Sequence, residues 1–206
     1  MIPLMVDFTG RQVIVFGGGA VAVRKARYFA QEAEVIVFSR SFHQDFIHVP
    51  VVLHTMELTH DIASIQEIIK ESTLVVAATS DQELNSTIMG ACSLEGIFCN
   101  VASGSAGDVM LPAKITGERY VIGISTRGSV PAVSRYIREC LEEKISNLDA
   151  LIELGEWIRH EFRTGIPASR NYDSILYEAL RDPQTHIALT SGQEKAQEYI
   201  MGKYVV

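Results

Sequence analysis

Cations are scarce in this chain: 18 Lys and Arg stand against 25 Asp and Glu, a formal net charge of −7. That balance argues against general nucleic-acid binding, which needs a positive footprint. Cysteine is equally sparse, and Cys92, Cys99 and Cys140 form an odd set with neither disulfide-framework nor metal-ligand spacing. They read as buried thiols in a reducing compartment, so a cytoplasmic protein without a metal site is expected. No apolar run approaches the roughly 20 residues that cross a bilayer, and no signal peptide is visible because the first apolar run is short and ends in glycines. A membrane location is not expected. With 6 prolines in 206 residues and an apolar share of 47%, nothing suggests disorder. His43, His48, His54 and His60 are scattered and read as structural or solvated.

What is present is concentrated in Val13-Ile-Val-Phe-Gly-Gly-Gly-Ala-Val-Ala-Val-Arg-Lys-Ala26. Val13 to Phe16 is a continuous apolar run, the pattern of a strand covered on both faces. Gly17 suits a tight turn, and Gly19 lets a pyrophosphate approach the main chain with no Cβ in the way. Ala22 fills the third place of G-x-G-x-x-G/A, where a small side chain lets helix and strand pack closely. Ala22, Ala26, Phe29 and Ala30 then recur at helical spacing, so a helix N-terminus faces the phosphates. A glycine turn that binds nothing is the plainer reading; the strand before and the helix after favour the cofactor.

The acidic residue that usually meets the adenosine ribose about 20 residues on is missing. The second strand, Val35 to Phe38, ends in Ser39-Arg40-Ser41. A serine there suits a ribose hydroxyl, whereas Arg40 suits a 2′-phosphate or solvent, so this loop leaves NAD against NADP open.

Strands alternate with helices along the first half. Val51 to Leu53 reads as a third strand, Ile62, Ile65, Ile68 and Ile69 as a helix, and Leu74 to Ala78 as a buried strand. A helix over about 82–95 leads into Ile97-Phe-Cys99. This order predicts an α/β, Rossmann-like doubly wound parallel sheet with ligands outside the carboxyl ends of its strands. Beyond Pro112, Tyr120 to Ser125 reads as a strand. One long helix from Pro131 is expected to place Leu141, Ile145, Leu148 and Ile152 on a seam that wants a partner, a short one because Gly155 holds the next place in the register; an ordinary amphipathic helix packed on its own domain is the alternative. Gly165-Ile-Pro167 closes it, and two helices follow, near 172–181 and, from the capping box Ser191-x-x-Glu194, near 192–203. Tyr199 and Lys203 match the Tyr-x-x-x-Lys pair of short-chain reductases, but no room remains for the later strands of that fold.

Four segments in order, Gly17 to Ala26, Ala77-Ala-Thr-Ser-Asp81 with Leu84-Asn85, Phe98-Cys-Asn-Val101 and Ile124-Ser-Thr-Arg-Gly128 with Pro131, resemble the precorrin-2 dehydrogenase family of siroheme biosynthesis. The likeness covers about residues 3–145. It implies NAD-dependent dehydrogenation of precorrin-2, a tetrapyrrole, to sirohydrochlorin, by a homodimer whose subunits interlock through a central segment. The domains expected are a cofactor-binding domain over 1–112, a dimerisation segment over 113–145 and a helical C-terminal region over 146–206. Gly17, Gly19, Ala20, Val21, Arg40, Ser41 and Thr79 correspond to cofactor contacts. Asn100, Ser125 and Arg127 are candidate substrate contacts at strand ends, although plain turn hydrogen bonding also explains the first two. Asp81 reads chiefly as the cap of the following helix.

Two departures stand out. The family commonly has an aspartate shortly after Asn-Val, and here Ser103 occupies that place. A serine hydroxyl is no carboxylate base near neutral pH. The candidate catalytic positions are therefore Ser103 and Asp108, the latter a nearby carboxylate that could take over as proton acceptor or simply be a turn residue. Arg127 stands where the family usually has glycine. With Lys114, Arg119, Arg135 and Arg138 it offers a basic surface for a macrocycle rimmed by carboxylates, although a solvated helix face explains Arg135 and Arg138 as well. A bifunctional dehydrogenase and ferrochelatase, or a non-catalytic nucleotide-sensing module, are the alternatives.

Overall fold

A computed structural model of the chain describes residues 2–102, 107–128, 130–145, 147–165 and 172–205. The chain divides into two compact units, Met1–Leu111 and Pro112–Val206.

The first unit alternates strand and helix: β1 (Gln12–Phe16), α1 (Ala20–Phe29), β2 (Glu34–Ser39), β3 (Val52–Thr55), α2 (Ile62–Ile69), β4 (Leu74–Ala77), α3 (Gln82–Glu95) and β5 (Phe98–Val101). A 3₁₀ turn over Gln44–His48 leads into β3. The five strands are parallel, in the order β3-β2-β1-β4-β5. Strand residues alternate between two apolar layers. Val13, Val15, Val35, Val37, Leu74 and Val76 share one layer with Ala22, Val23, Ala26 and Phe29 of α1. Ile14, Phe16, Val75 and Ala77 share the other with Ile65 and Ile69 of α2 and Leu84 and Ile88 of α3. Because both faces are covered, the central strands read as unbroken apolar runs, and each fully buried large side chain stabilises the unit by about 1.5–3 kcal/mol. Alanines at 22 and 26, both wholly buried, admit α1 close to the sheet.

Helix ends follow from local chemistry. Asp81 Oδ1 accepts from the N–H groups of Glu83 at 2.9 Å and Leu84 at 3.0 Å, which caps α3. Gly96, at φ 69°, closes it in the left-handed conformation.

The second unit has an antiparallel pair, β6 (Ala113–Thr116) and β7 (Val121–Ile124), followed by α4 (Pro131–Lys144), α5 (Leu148–Gly165), α6 (Tyr172–Arg181), α7 (Pro183–Thr190) and α8 (Gln193–Ile200). Leu154, Ile158, Ala179, Leu189, Ala196 and Ile200 form its core. Three expectations change here. The seam does not lie on one helix: α4 stops at Lys144 and α5 begins at Leu148, so Ile145 falls in the break. Asn147, a residue type that competes for backbone hydrogen bonds, accepts the first α5 bond, from Leu151 N–H at 3.0 Å. The tail carries an extra helix, α7, which Asp182 starts by accepting from Gln184 N–H at 3.1 Å, with Pro183 in the first turn. The capping box at Ser191 does not form. Ser191 ends α7 through its N–H to Ala188, and Gly192, at φ 120°, precedes α8 with no side-chain cap.

Tyr199 and Lys203 serve this unit structurally. Asp182 Oδ2 accepts from Tyr199 Oη at 2.6 Å and Lys203 Nζ at 2.7 Å, with Tyr204 Oη at 3.3 Å. Lys203 first, then Tyr199, hold the Asp182 carboxyl well below the usual range.

Candidate cofactor and active site

The three glycines after β1 do three different things. Gly17 has φ 115°, and a Cβ there would fall 2.3 Å from the Ala78 carbonyl oxygen, so the turn off β1 needs glycine. At Gly18 a Cβ would fall 1.8 Å from the Ser41 carbonyl oxygen and 2.7 Å from Ser39 Oγ. The loop after β2 therefore lies directly against the glycine turn, and His43 N–H donates to the Gly18 carbonyl at 2.8 Å. Gly19 is the opposite case: nothing lies within 4 Å of its would-be Cβ. It precedes α1 with extended backbone and no side-chain cap, and no acidic residue occupies the first turn. The first N–H groups of α1 thus meet an open, electropositive position, the cradle a pyrophosphate fits. Ala20 and Val21 are exposed in that first turn. The sequence assigned Gly17 and Gly19; Gly18, whose neighbours lie over twenty residues on, had no local signal.

The other candidates in the first unit flank this turn along the carboxyl ends of the strands. Ser41 is exposed beside Gly18, and the guanidinium of Arg40, also exposed, lies 3.7 Å from Glu57. Just past β4, Thr79 is clasped by buried Asn85. Its hydroxyl and N–H both donate to Asn85 Oδ1, at 2.8 and 3.1 Å, and Asn85 Nδ2 returns a bond to the Thr79 carbonyl at 3.1 Å. Asp81 caps α3 with one oxygen while the other lies 3.2 Å from His60 Nε2. The Leu84 N–H first, then those of Glu83 and the His60 ring, lower its pKa.

Asn100 on β5 is buried, with its amide engaged at both ends: Oδ1 accepts from Lys25 Nζ at 2.5 Å and Nδ2 donates to the Val109 carbonyl at 2.6 Å. Lys25, on α1, is a participant that sequence reasoning missed. Burial, and then the charge of Arg24, lower its pKa. Residues 107–109 line the outer edge of β5. Asp108 Oδ2 accepts from Cys99 N–H at 3.2 Å, Val109 N–H donates to the Cys99 carbonyl, and a Cβ on Gly107 would fall 2.8 Å from that same oxygen. An otherwise open sheet edge is thereby covered. Ser103 lies outside the described residues.

Within the second unit, Ser125 Oγ accepts from Arg127 N–H at 3.1 Å. Arg127 has φ 54°, a left-handed conformation uncommon for a non-glycine residue. Of the other basic candidates, Arg119 is bound to Glu156, Arg135 to Glu139 and Arg138 to Glu142, so glutamates offset much of that positive surface.

Similarity to known proteins agrees with this geometry. Residues 4–113 match the family described as Putative NAD(P)-binding. A precorrin-2 dehydrogenase of Methanosarcina barkeri is 32% identical over 214 aligned residues, spanning 100% of this chain and 95% of that protein. A siroheme synthase of Nitrosococcus oceani is 31% identical over 96% of this chain, which spans only 42% of that longer protein. The solved structure of SirC, a precorrin-2 dehydrogenase, superposes with a TM-score of 0.73 at 25% identity, covering 98% of this chain and 100% of the other. Full-length identity, the shared fold and a glycine turn shaped for a dinucleotide place this chain in the precorrin-2 dehydrogenase family.

Proposed function

We propose that this protein oxidises precorrin-2 to sirohydrochlorin with NAD⁺, a step of siroheme biosynthesis. The observation that carries the reading is the open position at Gly19 before the uncapped first turn of α1. Gly17, Gly19, Ala20 and Val21 hold the pyrophosphate, Arg40 and Ser41 flank the adenosine end, and Thr79 lies beside the crevice at the end of β4. When bound, the nicotinamide supplies the hydride acceptor. The chain's own contribution is orientation: a rigid parallel sheet whose strand ends, locked by the Thr79–Asn85 and Lys25–Asn100 bonds, hold the two reactants in place.

The substrate loses one hydrogen as hydride and one as a proton. Asp108 is the proposed acceptor for the proton and Ser103 the neighbouring candidate catalytic position, with Asn100, Ser125 and Arg127 the proposed substrate contacts. Arg127 is exposed, and its cation suits the carboxylates of a tetrapyrrole. A homodimer is proposed through the 113–145 segment, supported by the exposed Val133, Tyr136 and Ile137 on α4. The cytoplasm is the proposed compartment, supported by three free thiols. The deciding experiment is anaerobic incubation with precorrin-2 and NAD⁺, following NADH and sirohydrochlorin by absorbance. Equal amounts of both support the assignment; tight NADH binding without turnover would make the protein a nucleotide sensor.

A further inference from the structure

The end of β2 lacks the acid that usually meets the adenosine ribose, and the structure brings a carboxylate there from another strand. β3 pairs with β2 so that Thr55 stands opposite Ser39. Met56 N–H then donates to the Ser39 carbonyl at 3.0 Å, extending the pairing beyond the strand end. Glu57, the next residue, is thereby held beside the loop 39–41, with Oε1 3.7 Å from Arg40 Nη1. The same loop is pressed against the cofactor turn, since Ser39 and Ser41 are what a Cβ on Gly18 would strike.

We propose that Glu57 is the residue that sets cofactor preference: its carboxylate takes the place of the missing ribose acid, accepts from the ribose hydroxyls and draws Arg40 away from a 2′-phosphate. NAD is then favoured over NADP even though the loop itself carries an arginine. The inference rests on the proposed NAD-dependent function, and on its cofactor half alone. Both side chains are 76% exposed, so the pair adds little to folding. Its weight lies in the local charge. In water, a carboxylate about 6 Å from a dianionic phosphate weakens binding by about tenfold, and by about threefold to fourfold once roughly 0.1 M salt screens it.

The test is fluorescence titration of the full chain with NADH and NADPH, without substrate, for the wild type, Glu57→Gln, Arg40→Ala and the double variant. The wild type should bind NADH more tightly. Glu57→Gln should shift the NADPH to NADH ratio of Kd towards NADPH by about threefold to tenfold, less at high salt. Adding Arg40→Ala should reduce that gain, because the released guanidinium contacts the phosphate, but should leave the part that comes from relief of the carboxylate's repulsion; an undiminished gain overturns the role given to Arg40. A wild type that binds NADH but keeps its ratio unchanged in Glu57→Gln overturns this proposal and leaves the dehydrogenase assignment standing. A wild type that prefers NADPH also overturns it. Failure of the wild type to bind either nucleotide removes the cofactor reading itself.

Discussion

Adding one methyl group to adjacent glycines should have opposite consequences. At Gly18 the new carbon would sit 1.8 Å from a backbone oxygen and 2.7 Å from Ser39 Oγ, whereas real Cβ contacts essentially never fall under 3.0 Å. The oxygen belongs to the main chain of Ser41, whose neighbouring segment is tied down by His43 N–H to Gly18, so a rotamer change relieves nothing. Overpacking typically destabilises by about 1–3 kcal/mol, and a backbone clash this deep belongs at or above the upper end. For a unit of this size about 3 kcal/mol lowers Tm by about 10–20 °C. At Gly19 the added methyl meets no protein atom, and φ −82° suits alanine. Its gain from a stiffer unfolded chain, about 0.4–1 kcal/mol, offsets the poorer capping tendency of alanine, so Tm should stay within a few degrees. NADH affinity should nevertheless fall, because the methyl enters the space left for the pyrophosphate, and Gly19→Asp should abolish binding by adding like charge. Thermal melts by circular dichroism and NADH fluorescence titrations of Gly18→Ala, Gly19→Ala and Gly19→Asp decide the matter. A Gly18→Ala protein as stable as wild type would refute the packing argument, and undiminished NADH affinity in folded Gly19→Asp would refute the cradle.

Three further outcomes are expected. Asp182 has a depressed folded-state pKa, so its stabilising effect is complete above the ordinary carboxylate range near about 3.9 and is lost as pH falls through the lower folded value. Urea midpoints of wild type and Asp182→Asn should therefore differ most near neutrality and converge in acid; a pH-independent gap would show that the charge is irrelevant. Asp108→Asn should keep kcat within a few-fold of wild type if the protein acts mainly by positioning, whereas a loss on the order of 10²-fold with intact NADH affinity would make Asp108 the general base. Tyr136→Glu on α4 should shift the protein from dimer to monomer in sedimentation, since a charge on an apolar interface is poorly tolerated; an unchanged dimer would move the interface elsewhere.

How far the sequence alone reaches depends on where each determinant's partner lies along the chain. β1, β2 and β4 were legible because a strand covered on both faces must be apolar throughout, and α3 because Asp81 and Gly96 mark both its ends. The tail was less legible, yet not for want of signal: Asp182-Pro183 is a cap followed by a first-turn proline, and it marks α7 as plainly as Asp81 marks α3. The preference for one continuous helix after Pro131 failed because apolar spacing continues across a break that hydrogen bonding, not hydrophobicity, decides. At the site the limit is different in kind. Gly18 is fixed by Ser41, Lys25 is held by Asn100 and Arg40 lies near Glu57, pairs far apart in the sequence that only the assembled sheet and its packed helix bring together. A motif names the residues that touch the cofactor because their spacing reflects one turn; it is silent on residues that tune those contacts from the next strand. On the role proposed for Glu57, cofactor choice belongs to the second group, which is why the β2 loop leaves NAD against NADP open when read alone and favours NAD once β3 is laid beside it.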